Sequence, residues 1–150
     1  MRVKMQDIKV LRDKTGAGIM EVKKALEEAK GNEKKAKEIL KKQGLKKIAK
    51  RAGKQTNEGQ VMAYIHNGGR VGAMVKVMCE TDFVSKSDDF KNMCKELAMQ
   101  VASMNPKNVK DLLAQDYIRD TSKKVKDLVD EVGARVKEKV VVEEIVRLSL

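Results

Sequence analysis

Residues 60–79, Q-V-M-A-Y-I-H-N-G-G-R-V-G-A-M-V-K-V-M-C, limit the fold more than any other stretch. Two alternating runs flank N-G-G at 67–69, where Asn and Gly tolerate the positive φ of a tight turn, so the spacing predicts an antiparallel hairpin. In the first strand Val61, Ala63 and Ile65 alternate with Gln60, Met62, Tyr64 and His66. In the second, Val71, Ala73, Val75, Val77 and Cys79 share one face. A third strand is expected in V-V-V-E-E-I-V-R-L-S-L at 140–150. A sheet of this kind must bury a face, and the chain between its strands has to supply the cover.

That cover is predicted to be helical. Phe90, Met93, Cys94, Leu97, Val101 and Met104 form an apolar stripe stopped by N-P at 105–106. Residues 108–118 suggest a short helix. Thr121 or Ser122 would cap another, with Val125, Leu128, Val129 and Val132 inward. Ser85 and Asp88 fit the S-x-x-D form of a capping box, and Asp88 and Asp89 suit the positive end of a helix dipole. The order is ββααβ. The second sheet face is expected to carry Met62, Tyr64, Met74, Met78, Val141 and Ile145, which implies either wrapping helices or a protein interface.

The chain before Gly59 is of another kind. Met5, Ile8 and Leu11, then Ile19, Val22, Leu26 and Ala29, then Ala36, Ile39 and Leu40 mark three short helices. Gly31 serves as the C-terminal glycine of the second helix, and Asn32 as the N-cap of the third. Residues 1–56 hold 18 Lys+Arg and 7 Asp+Glu, whereas 57–150 hold 15 of each, so the whole net charge of +11 lies in the first third. This shift divides the chain into a three-helix domain at 1–44, a basic linker at 45–57 and an α+β core domain at 58–150. No apolar run reaches the roughly 20 residues a membrane span needs, and the start has no apolar targeting segment. Cys79 and Cys94, both among apolar neighbours, read as buried reduced thiols of a cytoplasmic protein.

Catalytic patterns are missing from the sequence. His66 is the one histidine and makes no metal-ligand spacing with the cysteines. A-G-K at 52–54 lacks the glycine and hydroxyl of a phosphate loop, since Ile48 and Gln55 occupy those places. No enzyme, metal or cofactor is expected. From charge alone, a basic RNA-binding or ribosome-associated protein is the first reading. Against it, the strands offer only Tyr64 for stacking on bases.

L-R-D-K-T-G-A-G-I-M-E-V-K-K-A-L at 11–26 and C-E-T-D-F-V at 79–84 resemble, in order, the two signatures of the elongation factor Ts family. Y-I-H-N-G-G-R-V-G at 64–72 and A-M-Q-V-A-S-M-N-P at 98–106 are similar to its flanking strands and helix. The resemblance implies a translation elongation factor with an N-terminal three-helix module like ubiquitin-associated domains, followed by a core of three-stranded antiparallel sheet and packed helices. It implies a guanine-nucleotide exchange factor that binds elongation factor Tu, GDP-bound and nucleotide-free, and disturbs its Mg²⁺ and nucleotide site. Thr81, Asp82, Phe83 and Val84 would lie against Tu, with Phe83 as a wedge. Arg12, Gly16, Ala17, Gly18, Ile19, Met20 and Lys23 would form a second patch. No direct nucleic-acid contact and no membrane are implied. Local pattern alone reads Phe83 as a core plug at the strand end, places Ile19 on the helix stripe and leaves Met20 off it; the signatures make Phe83 and Met20 exposed contacts. Longer family members carry a second core copy and a helical hairpin before the last strand, for which this chain lacks room. A homodimer through the core sheet is the corresponding expectation.

Overall fold

The computed structural model describes residues 2–150. Three helices come first, α1 (Met5–Thr15), α2 (Ile19–Glu28) and α3 (Glu33–Ala49). They enclose Ile8, Leu11, Val22, Ala25, Leu26, Ala29, Ala36 and Leu40, a cluster distinct from the one under the sheet. Gly31, at φ 81°, donates its N–H to Leu26 O at 2.8 Å, closing α2. Asn32 caps α3, its side chain accepting from Lys35 N at 3.0 Å. α3 continues through Ala49, so residues 45–49 of the basic stretch are helical.

The hairpin forms as expected, from β1 (Glu58–His66) and β2 (Val71–Cys79), and β5 (Val141–Ser149) pairs antiparallel with β2 to give the order β1-β2-β5. One face packs on α5 (Asp88–Met104), the long helix, where Phe90, Cys94, Leu97, Ala98 and Val101 are fully buried with Val75, Val77 and Cys79. Asn105, at φ 46°, terminates α5 in the left-handed conformation before Pro106.

The inner and outer faces differ from the sequence expectation. Met62 lies opposite Val75 and Tyr64 opposite Ala73, and residues directly opposite point to the same side, so both pack on the core. In β5 a bulge opposite Lys76 and Val77 shifts the parity of the strand. Val142 and Ile145 therefore both turn inward although three residues apart. The outer face consists instead of Val61, Ile65, Met74, Val146 and Leu148, all exposed, with half-buried Met78 and Val141.

A second difference lies between the helices. α6 (Val109–Ala114) stops early, and the chain forms a two-stranded hairpin of β3 (Asp116–Tyr117) and β4 (Asp120–Lys124) before α7 (Val125–Val136). The reason is Gln100, fully buried on α5. Its amide donates to Asp116 O at 3.0 Å and accepts from Ile118 N at 3.1 Å, gathering the turn backbone, while Tyr117 is buried beside it. α7 accordingly begins after Lys124, whose N–H donates to Asp127 at 2.9 Å, and neither Thr121 nor Ser122 caps it.

Candidate functional site

At the end of β2, Cys79 is fully buried and the next residues leave the sheet. Thr81 is extended (φ −127°, ψ 153°) and its hydroxyl accepts from Val84 N at 3.3 Å, starting a one-turn helix, α4 (Asp82–Ser85). The signature thus sits on a short helix rather than on the strand end. Ser85 lies inside this helix, buried, with its hydroxyl donating to Asp82 O at 2.8 Å. The cap of α5 is Ser87, which accepts from Phe90 N at 3.4 Å. Of two serines in S-K-S, the later one wins because α4 consumes the first.

One turn of helix can bury only one side. Val84 and Ser85 face the core, at 5% and 3% exposure, and Phe83 faces solvent at 83%. The local reading of Phe83 as a core plug is therefore wrong: Val84 closes the core there. Asp82 is exposed and, among the described residues, pairs with Lys86 alone, at 3.5 Å. Beneath them the turn is tied down, Gln60 of β1 donating to Ser85 O at 2.9 Å. The Glu138 carboxylate, in the α7–β5 connection, accepts from Thr81 N at 3.0 Å and Thr81 Oγ1 at 2.8 Å.

Glu80 turns the other way. Its carboxylate accepts two hydrogen bonds from Arg51, at 2.8 and 2.6 Å, and one from Lys139 N at 2.6 Å. The Arg51 guanidinium, helped by the Lys139 N–H, holds the Glu80 carboxyl down at about 2 against the opposing effect of burial. Nothing in the sequence patterns singled out Arg51, Glu80 or Glu138 as partners, because they are 29 and 58 residues apart and join only through the fold. Burial pushes the Cys79 thiol up to about 11 and the Cys94 thiol to about 12, which disfavours the reactive thiolate at both.

The second stretch is built around the α1–α2 corner. Gly16, at φ 69°, closes α1 by donating its N–H to Arg12 O at 2.7 Å. A side chain there would also meet Cγ of Arg135, on α7, at 2.8 Å. Two reasons thus converge on glycine. Arg135 itself donates to Lys14 O at 2.6 Å, fastening the corner to α7. Gly18 precedes α2, and its N–H donates to Glu21 Oε2 at 3.1 Å. That entry angle presents Ile19 and Met20 to solvent, at 48% and 60% exposure, beside exposed Arg12, Gly16 and Lys23, with Ala17 and Gly18 half-buried. Ile19, read from spacing as part of the inward stripe, is exposed with Met20, because Val22 and Ala25 complete the core without it.

The structure therefore offers two apolar protrusions, one on α4 and one on α2, each set on tied backbone. They are linked through α3, where Gly44 lets α7 approach so closely that an added Cβ would stand 3.0 Å from Cβ of Ala134, and through the Arg51–Glu80 pair. A cleft of about 490 Å³ between α3 and α7 has Gly16 and Ala17 in its lining but neither Met20 nor Phe83. Exposed apolar side chains on a rigid base can bind a protein surface.

Comparison with known proteins agrees with both signatures. The family model described as Elongation factor TS matches residues 5–111 and, separately, 80–150. Elongation factor Ts of Thermoanaerobacter sp. (strain X514) is 42% identical over 192 residues, covering 98% of this chain and 94% of the relative. That of Coprothermobacter proteolyticus is 37% identical over 195 residues, covering all of this chain and 99% of its own length. Over 105 residues, 70% of this chain, identity to the Carboxydothermus hydrogenoformans protein rises to 52%. The 195 aligned positions exceed the 150 residues present, so about 45 positions of the longer relative have no counterpart here. On matches that span both the helical part and the sheet, the chain belongs to the elongation factor Ts family and is a translation elongation factor.

Proposed function

We propose that this chain is the guanine-nucleotide exchange factor of elongation factor Tu. The observation that carries the reading is Phe83, 83% exposed on a helix turn whose other side is buried. A solvated phenyl group at the tip of a rigid edge is ready to enter another protein. Burying it would contribute roughly 1.5–3 kcal/mol. If that energy is realised only when Tu has its Mg²⁺ and nucleotide site distorted, the contact favours release of GDP. Thr81, Asp82 and Val84 hold and flank the wedge. Arg12, Gly16, Ala17, Gly18, Ile19, Met20 and Lys23 supply a second grip that binds GDP-bound and nucleotide-free Tu alike. No bond is made or broken in the factor, so it acts as a binding catalyst of exchange rather than as an enzyme of covalent chemistry.

In this reading residues 1–44 are the gripping module, 45–57 the basic connection and 58–150 the wedge-bearing core. The outer sheet face, with Val61, Ile65, Met74, Val146 and Leu148 exposed, supports a homodimer in which two sheets cover one another. Among the described residues no helix is long and apolar enough to cross a membrane, and we place the protein with its partner in the cytoplasm.

The test is to load Tu from the same source with fluorescent GDP and follow its release by stopped flow. Acceleration that saturates with this protein supports the proposal. No acceleration, together with tight RNA binding that weakens steeply with salt, would favour the RNA-binding reading drawn from charge.

A further inference from the structure

A four-residue helix does not hold its own shape in water, since helix nucleation is unfavourable and one turn gains little in return. The direction of Phe83 is therefore set by whatever grips the ends of α4. Its C-terminal end is held by buried Ser85 and by Gln60, whose side chain donates to Ser85 O. Its N-terminal end is held from outside the signature. Oε1 of Glu138 accepts from Glu80 N at 3.2 Å and Thr81 N at 3.0 Å, while Oε2 accepts from the Thr81 hydroxyl at 2.8 Å. The same Thr81 oxygen then accepts from Val84 N, one of the free amides of the helix start.

The carrier of Glu138 is also fixed. The next residue, Lys139, donates its backbone N–H to Glu80 at 2.6 Å and its ammonium to Ala52 O at 2.7 Å. Glu80 is in turn clasped by Arg51, one residue beyond the C-cap of α3. The β2–α4 and α7–β5 junctions thus interlock, each supplying a carboxylate to the backbone of the other. None of the three donors to Glu138 is itself charged, so the contact needs no ion pair; it does need a side chain long enough to bring both oxygens to the β2–α4 junction, and a carboxylate there strengthens the bonds it accepts.

We infer that Glu138 is a positioning residue for Phe83: it fixes the N-cap of α4 and so the angle at which the phenyl ring leaves the surface. This rests on the exchange-factor reading. In this arrangement Glu138 acts through Thr81 and the start of α4. Loosening it would leave the grip at Met20 intact and blunt the contact made only in the nucleotide-releasing state. Such a loss falls on the maximal release rate and spares the half-saturating concentration.

The variants Glu138→Ala, Glu138→Asp and Glu138→Gln separate this from other roles. Glutamine keeps the length and one oxygen for both amides, and its NH₂ can donate to Thr81 Oγ1. Aspartate keeps the charge but is one methylene too short. With full-length protein, Tu and fluorescent GDP, we expect Ala and Asp to lower the maximal release rate about tenfold, within the roughly 100-fold that a misplacement of about 1 Å can cost. Half-saturation should stay unchanged within experimental scatter, and Gln should retain most of the rate. Should Ala fail to fold, the order of Gln and Asp still decides. Asp matching or exceeding Gln, or all three at the wild-type rate, overturns the inference. So does a common fall in melting temperature, maximal rate and apparent affinity in all three, which marks a general structural role. Wild type and Phe83→Ala run alongside: no acceleration by wild type defeats the exchange-factor reading itself, whereas wild-type acceleration lost in Phe83→Ala but kept in the Glu138 variants defeats only the positioning.

Discussion

Replacing Phe83 by alanine should separate folding from function cleanly. The ring is 83% exposed, and the core beneath it is closed by Val84 and Ser85, which the substitution leaves untouched. Alanine is also the better helix former, so α4 loses nothing in propensity. The change in folding stability should therefore stay within about 0.5 kcal/mol, as for other surface substitutions. Exchange is another matter. A buried phenyl side chain is worth roughly 1.5–3 kcal/mol, and each 1.36 kcal/mol is a factor of ten in rate. If the ring is buried only in the releasing state, the maximal rate of GDP release should fall by about 10- to 150-fold. Stopped-flow release at saturating factor reads this number, with circular dichroism and thermal melting as controls for the fold. A rate equal to wild type refutes the wedge. A large loss of stability would refute the claim that Phe83 carries no part of the core.

Further substitutions probe the rest of the structure. Gln100→Leu is close in volume but strands Asp116 O and Ile118 N, so urea unfolding should show a loss of about 1–3 kcal/mol for a buried unsatisfied group. Gly59→Ala would drive a Cβ to 2.1 Å from Val77 O across the hairpin, and the forced shift should cost about 1–3 kcal/mol or more, read as a lower melting temperature. Glu80 has a folded pKa of about 2 against an ordinary 4.5. Its contribution is thus complete above pH 4.5 and lost as pH falls toward 2, and Glu80→Gln should flatten the acid-unfolding profile within that window. Cys79 and Cys94, with thiols raised to about 11 and 12, should react slowly with a disulfide reagent at pH 8 in the native protein and at once in denaturant.

The hairpin, the long helix and the three-helix module were legible because each rests on local signals: N-G-G, the stripe from Phe90 to Val101, and Gly31–Asn32. What escaped depends on partners distant in sequence. The β3–β4 hairpin exists because Gln100 offers its amide to backbone a turn would otherwise leave unsatisfied. A polar residue in an apolar stripe gives no hint of that. The bulge in β5 reverses the parity of Ile145, and no alternation pattern reveals an extra residue. For the candidate site, periodicity would have buried Phe83 and Ile19; the family signatures turned Phe83 and Met20 outward, as both are, but left Ile19 on the inward stripe, and it too is exposed. Glu138 carried no signal at all, since two of its three hydrogen bonds come from backbone amides that are the same in every sequence and the third from a threonine 57 residues away.

The central claim is that exchange comes from differential binding, and the affinity of this protein for two forms of Tu tests it most directly. Titration calorimetry with nucleotide-free Tu and with Tu·Mg²⁺·GDP gives a ratio of dissociation constants. Linkage requires that ratio to equal the factor by which this protein weakens GDP binding to Tu. The account predicts much tighter binding to the nucleotide-free form, with the difference shrinking sharply in Phe83→Ala. Equal affinity for the two forms would contradict it, because a ligand that does not distinguish two states cannot shift the balance between them.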